Sequence, residues 1–171
     1  MGVNRHQDYA YIGNAVPNNL HWLDVKKMRD AGFRIIRSAH YPQDPAFMDA
    51  CDELGMFIIV ATPGWQYWNP EPVFEERILS DIRNMVRRDR NHPSVLLWEP
   101  VLNETAFPES FAQNAYRATH EEYTAPGCYA AIDDKSKGAM GYDVVYTAPK
   151  NEAFYRNAGK SCFTREYGDC V

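Results

Sequence analysis

The chain has 171 residues, 45% of them apolar and 13% aromatic, enough for one domain whose core needs no disulfide or metal staple. Eighteen basic against 23 acidic residues leave a formal charge of −5, which repels phosphate backbones and anionic lipid, so nucleic acid and membrane are excluded as partners. No apolar run nears the roughly 20 residues of a bilayer span, and the polar start from Met1 to His6 has no signal-peptide core.

Gly2-Val3-Asn4 reads as a first strand, followed by a helix with Leu20, Leu23, Met28 and Ala31 on one side and Gly32 closing it. Phe33 to Ile36 forms a second strand. Asp44-Pro45 supplies an N-cap and a first-turn proline to a second helix carrying Phe47, Cys51 and Leu54, which Gly55 ends. Residues 56–60, apolar throughout, read as a buried parallel strand. After a loop rich in Trp, Pro and Asn, residues 71–89 place Phe74, Ile78, Ile82, Met85 and Val86 on one helical stripe, with Arg87, Arg88 and Arg90 on a solvated face. Val95 to Trp98 is a fourth strand, 108–123 a fourth helix, and 128–132, 144–146 and 161–163 supply three more strands. Only 133–143 separate strands five and six, with Gly138 and Gly141 inside, so the fifth helix is expected to shrink to a turn.

Strands alternating with helices fit a doubly wound sheet or a β/α barrel equally well. The polar residues decide for the barrel: Asn4-Arg5-His6, Arg37, His40, Asn103-Glu104, Tyr146 and Glu166 each end or follow a strand, and a barrel gathers such ends at one mouth. The expected fold is α/β, an incomplete (β/α)8 barrel with strands one to seven present, the eighth strand and helix absent, and helix five reduced. Two carboxylates at that mouth, Glu104 and Glu166, suit cleavage of a glycosidic bond, where one protonates the leaving oxygen and the other attacks or stabilises the sugar cation.

The segments Gly2-Val3-Asn4-Arg5-His6, Arg37-Ser38-Ala39-His40-Tyr41-Pro42, Cys51-Asp52-Glu53-Leu54-Gly55, Arg88-Asp89-Arg90-Asn91-His92-Pro93-Ser94 through Asn103-Glu104, and Glu166-Tyr167-Gly168 resemble, in order, the catalytic barrel of glycoside hydrolase family 2. That is the family of β-galactosidases and β-glucuronidases. The resemblance implies a retaining exo-glycosidase acting on a terminal β-linked sugar, β-galactoside first, with Glu104 as acid/base and Glu166 as nucleophile. Retention requires the two carboxyl groups to lie about 5–5.5 Å apart. Arg37 can hold Glu166 ionised and oriented. Asn103 resembles the family residue that binds the sugar 2-hydroxyl, Tyr146 would sit beside the nucleophile, and His6 and His40 are assigned to sugar hydroxyls. In the aromatic loop of Trp65, Tyr67 and Trp68, Trp65 is the favoured stacking platform.

Two departures from the family pattern stand out. Glu99-Pro100 replaces the usual small residue after the strand-four Trp, which implies a remodelled loop. Ala61-Thr62-Pro63-Gly64 lacks the Glu and His that ligate magnesium in well-known relatives, so neither metal nor cofactor is expected. The four cysteines, Cys51, Cys128, Cys162 and Cys170, show no zinc-binding spacing and read as small apolar residues. His21, His92 and His120 read as ordinary satisfied histidines. A carbohydrate-binding barrel piece without catalysis competes with the enzyme, and both glutamates favour the enzyme. A nucleotide binder ranks last because no glycine-rich phosphate loop follows any strand. An eighth strand is expected beyond Glu166, and the relatives carry β-sandwich domains ahead of the barrel. The unpaired edges of strands one and seven would therefore promote self-association.

Overall fold

A computed structural model describes residues 1–147 and 159–166; Tyr167, Gly168 and Cys170 lie outside the described residues. Seven strands alternate with helices in the order β1 (Gly2–Arg5), α1 (Asn18–Asp30), β2 (Ile35–Ser38), α2 (Pro45–Leu54), β3 (Phe57–Ala61), α3 (Pro72–Asp89), β4 (Val95–Glu99), α4 (Glu109–Glu122), β5 (Ala131–Asp133), β6 (Val144–Tyr146) and β7 (Ser161–Phe163). A 3-10 turn, Ala139–Gly141, stands where the short spacing leaves no room for a fifth helix. Every pair is parallel, in a four-stranded sheet β1-β2-β3-β4 and a three-stranded sheet β5-β6-β7. The sheets meet at a Trp98–Ala130 bridge, where the Trp98 N–H donates to the Tyr129 carbonyl at 2.9 Å. This is the α/β architecture of an incomplete barrel, with seven strands among the described residues.

Local chemistry sets the element ends. Asp44 caps α2 by accepting from the Ala46 N–H at 2.8 Å, Pro45 fills the first turn, and Gly55 adopts the left-handed conformation that ends it (φ 67°). Helix α1 departs from the expected face. His21 and Val25, four residues apart, are its fully buried pair, while Leu20 and Leu23 are half-buried and Ala31 is exposed. His21 is drawn in by Arg5 at the end of β1, whose guanidinium sits 3.3 Å from Nδ1 and also pairs with Asp24. The arginine face of α3 is likewise more than solvated surface. Arg83 and Arg87 pair with Glu121 and Glu122 of α4, and Arg88 donates to the Gln43 carbonyl.

Two apolar layers follow from the strands' period of two. Ile36, Ile58, Val60 and Trp98 face outward beneath Phe47, Met48, Cys51, Met85 and Val86 of the helices. Ile35, Ile59, Leu97, Ala131, Val144 and Phe163 pack together as the second cluster, on the opposite side of the strands. One more step of two along β2, β4, β5 and β6 brings Arg37, Glu99, Asp133 and Tyr146 to the C-terminal strand ends on that inner face. Glu99 therefore corrects the expected end of the fourth strand: β4 runs one residue past Trp98, Glu99 is in register with Ala61, and its side chain is buried inside the barrel. Burial raises the thiol pKa values of Cys51 to about 12 and Cys128 to about 11, which leaves both inert, and Cys162 is half-buried.

Candidate active site

Arg37 is the hub of the mouth. Its Nε donates to Glu99 Oε2 at 2.7 Å and its Nη2 to Glu99 Oε1, so one carboxylate takes the fork of the guanidinium. Nη1 is left for Glu166 Oε1, at 2.7 Å, and Nη2 also reaches Asn103 Oδ1 at 3.3 Å. The Arg37 and Glu99 side chains are each 3% exposed, and Glu166 is 24% exposed. Burial opposes the charge on Arg37, but Glu99, Tyr146 and Glu166 outweigh it and keep the guanidinium protonated.

Glu166 also accepts from Asn4 Nδ2 at 3.2 Å, a contact that joins β1 to the segment after β7. Sequence reasoning noted Asn4 among the strand-end polar residues and gave it no role. Tyr146 reaches the site through Glu99: its hydroxyl donates to Glu99 Oε2 at 3.4 Å, and the Arg37 guanidinium lies 5.9 Å from its ring centroid. Burial, and then Glu99, push the Tyr146 phenol well above its ordinary range, so it stays a donor.

Glu104 stands across the mouth. It is exposed, it holds a left-handed backbone (φ 48°), and its Oε2 accepts from Gln66 Nε2 at 2.8 Å. Gln66 is itself left-handed (φ 58°), and its N–H donates to the Asn103 carbonyl at 3.1 Å. Two non-glycine residues in this region, bonded to each other at a strand mouth, are the kind of local strain that functional sites retain. Gln66 lies in a loop with no periodicity, so nothing in the sequence marks it. Gly64 lets that loop close: its φ is +111°, and a Cβ there would sit 3.3 Å from Leu102 Cδ2.

The remaining expected residues form a chain along one wall. Asn103 Nδ2 lies 3.4 Å from His40 Nε2, and the His40 ring meets His6 edge-on at 5.7 Å and Trp65 at 5.7 Å. Burial and the nearby Arg37 lower the His40 pKa, so the ring is neutral at pH 7. Trp65 is 47% exposed, whereas Trp68 packs on Phe74 and Phe111 at 5.5 and 4.8 Å and belongs to the core. Glu104 and Glu166 line one cavity of ≈ 860 Å³ together with Thr105, Asp133, Lys135 and Arg165. Asp133 ends β5 and pairs with Arg165 at 3.1 Å; burial nevertheless raises its carboxyl pKa to about 6.

This arrangement presents one carboxylate held by two donors and, across a sugar-sized cavity, a second carboxylate bonded, among the described residues, to one amide. Residues 1–126 match the family model described as glycosyl hydrolases family 2, TIM barrel domain; Glu104 falls inside the matched stretch and Glu166 beyond it. The chain is 38% identical over 122 residues to a β-galactosidase of Thermoanaerobacterium thermosulfurigenes, covering 70% of this chain and 17% of that protein. Among solved structures it resembles a β-glycosidase from Bacteroides vulgatus (TM-score 0.76, 27% identity, 95% of this chain and 22% of that one). It also resembles a β-galacturonidase from Eisenbergiella tayi bound to galacturonate (TM-score 0.73, 28% identity, 85% and 28%). The chain thus spans less than a third of the length of these relatives. By its family match and its parallel α/β strands, the chain belongs to glycosyl hydrolase family 2, within the family's TIM barrel domain.

Proposed function

We propose that this barrel segment carries the catalytic pair of a retaining β-glycosidase, with a terminal β-galactoside as the first substrate. The observation that supports the reading most is the shared cavity of Glu104 and Glu166, with Glu166 oriented by Arg37 and Asn4. A Glu166 oxygen attacks the anomeric carbon as the glycosidic C–O bond breaks, and the Glu104 carboxyl gives its proton to the departing oxygen. Water then attacks the glycosyl-enzyme, Glu104 takes back a proton, and Glu166 is released. Trp65, His40, His6 and Asn103 offer an apolar face and polar groups for the sugar.

The test is hydrolysis of a panel of aryl β-glycosides by the full-length chain, by Glu104→Ala and by Glu166→Ala. Because Arg165 and Lys135 line the same cavity, and Arg165 Nη1 is buried without a hydrogen-bond partner among the described residues, the panel includes β-glucuronides and β-galacturonides. Either substitution should lower turnover by about 10³-fold or more, with azide restoring product from Glu166→Ala as the inverted glycosyl azide. Sugar binding without hydrolysis in the unsubstituted chain would favour a carbohydrate-binding role instead. Unimpaired activity in both variants would overturn the assignment.

A further inference from the structure

Arg37 is shared between two carboxylates, and the sharing is unequal. Glu99 takes the fork of the guanidinium through Nε and Nη2, and Glu166 receives the single Nη1 hydrogen bond. Both members of the inner pair are almost fully buried, and the Tyr146 hydroxyl and ring close it from β6. The residue two positions earlier on the same inner face is Leu97, packed among apolar neighbours, so the charge at the end of β4 answers to Arg37 alone among the described contacts of its carboxylate that carry charge.

We infer that Glu99 is a positioning residue that sets the reactivity of the nucleophile by occupying Arg37; the inference rests on the glycosidase reading above. A carboxylate gripped by both arms of an arginine is stabilised as an anion, which makes it a weaker nucleophile and a better leaving group. With Glu99 on the fork, Glu166 is oriented by one arginine N–H beside the neutral Asn4 amide and keeps its electron density for attack. Glu99 also offsets the Arg37 charge, so that the guanidinium does not act on Glu166 as an uncompensated cation in a low-dielectric interior.

The two halves of the reaction separate this role from plain scaffolding. Forming the glycosyl-enzyme uses Glu166 as nucleophile, and breaking it uses Glu166 as leaving group. In Glu99→Gln the amide N–H₂ faces an arginine N–H, the fork is lost, and Arg37 turns it toward Glu166. Aryl β-galactosides with activated leaving groups report both steps: kcat/KM follows glycosylation, and steady-state turnover after the burst follows deglycosylation. In the full-length chain, Glu99→Gln should slow glycosylation by about tenfold or more while leaving deglycosylation unchanged or faster. Glu99→Asp, which keeps the charge and shortens the reach, should change the ratio of the two rates in the same direction and by less. Equal slowing of both steps, or an unchanged ratio in whichever of the two variants folds, would overturn the role of Glu99. An unsubstituted chain that hydrolyses no member of the panel would instead sink the glycosidase reading on which the role depends.

Discussion

The β1–β4 half and the β5–β7 half of the barrel are held in place by different means. In the first, strands of four or five residues are each followed by a helix of 10 to 18 residues that covers their outer face. In the second, the strands are three residues long, and a 3-10 turn stands after β5. Hydrogen bonds back to α4 add there to the apolar packing of Ala130, Ile132 and Tyr142 on that helix. Tyr142 donates to the Ala112 carbonyl at 2.7 Å, and Asp143 accepts from Tyr116, at 3.0 Å, and from the Ala130 N–H, at 2.8 Å. The polar mouth adds a third tie, because Arg37 and Glu99 from the first half meet Tyr146 and Glu166 from the second. The first half is covered by a helix after each strand, whereas the described part of the second adds directed polar contacts to the apolar packing of Ala130, Ile132, Ala139 and Tyr142 against α4, and the two proposed catalytic glutamates fall on either side of that divide.

The largest effect should come from breaking the seam between them. Beside the backbone bridge to Ala130 the fully buried Trp98 side chain packs in the outer cluster that includes Cys128 of the second half, so Trp98→Ala should cost about 3–5 kcal/mol of stability, read by urea unfolding of the full-length chain. A loss below about 1 kcal/mol would mean that the seam is held elsewhere.

A smaller effect, confined to the second half, is pH-dependent. The folded Asp133 carboxyl titrates near 6, above its ordinary 3.8, chiefly through burial. An acid whose pKa is raised by folding binds protons more tightly when folded. Its stabilising contribution is therefore complete below about pH 4 and is lost as the pH rises through about 6. Relative to Asp133→Asn, the unsubstituted chain should gain about 1–2 kcal/mol on going from pH 7 to pH 4. A constant difference across that range would show that Arg165 rather than burial governs Asp133.

Much of this architecture is legible in the sequence for a physical reason. Apolar runs, the Asp44-Pro45 start and Gly55 stop of α2, and the short spacing between β5 and β6 are local constraints, and seven strands and four helices overlap the positions those signals give, with β2 starting two residues later than expected and β5 confined to Ala131–Asp133. What was not legible depends on partners distant in sequence. His21 is buried because Arg5 of β1 meets it, which helical periodicity alone misses. Gln66 reaches Glu104 only once the loop after β3 has folded over Asn103. Glu99 is the intermediate case. Counting by two from Leu97 would have placed it inside the barrel, but ending β4 at Trp98 assigned it to a loop.

The central proposal, that Glu166 attacks the sugar while Glu104 supplies and retrieves the proton, is tested most directly by trapping. Incubating the full-length chain with a 2-deoxy-2-fluoro β-galactosyl fluoride slows both steps while keeping a good leaving group, so a glycosyl-enzyme accumulates. Peptide mass spectrometry should then find one fluorosugar on Glu166, and none in Glu166→Ala. A label on Glu104 or on any other residue would contradict the assignment, as would hydrolysis of a β-galactoside with inversion at the anomeric carbon.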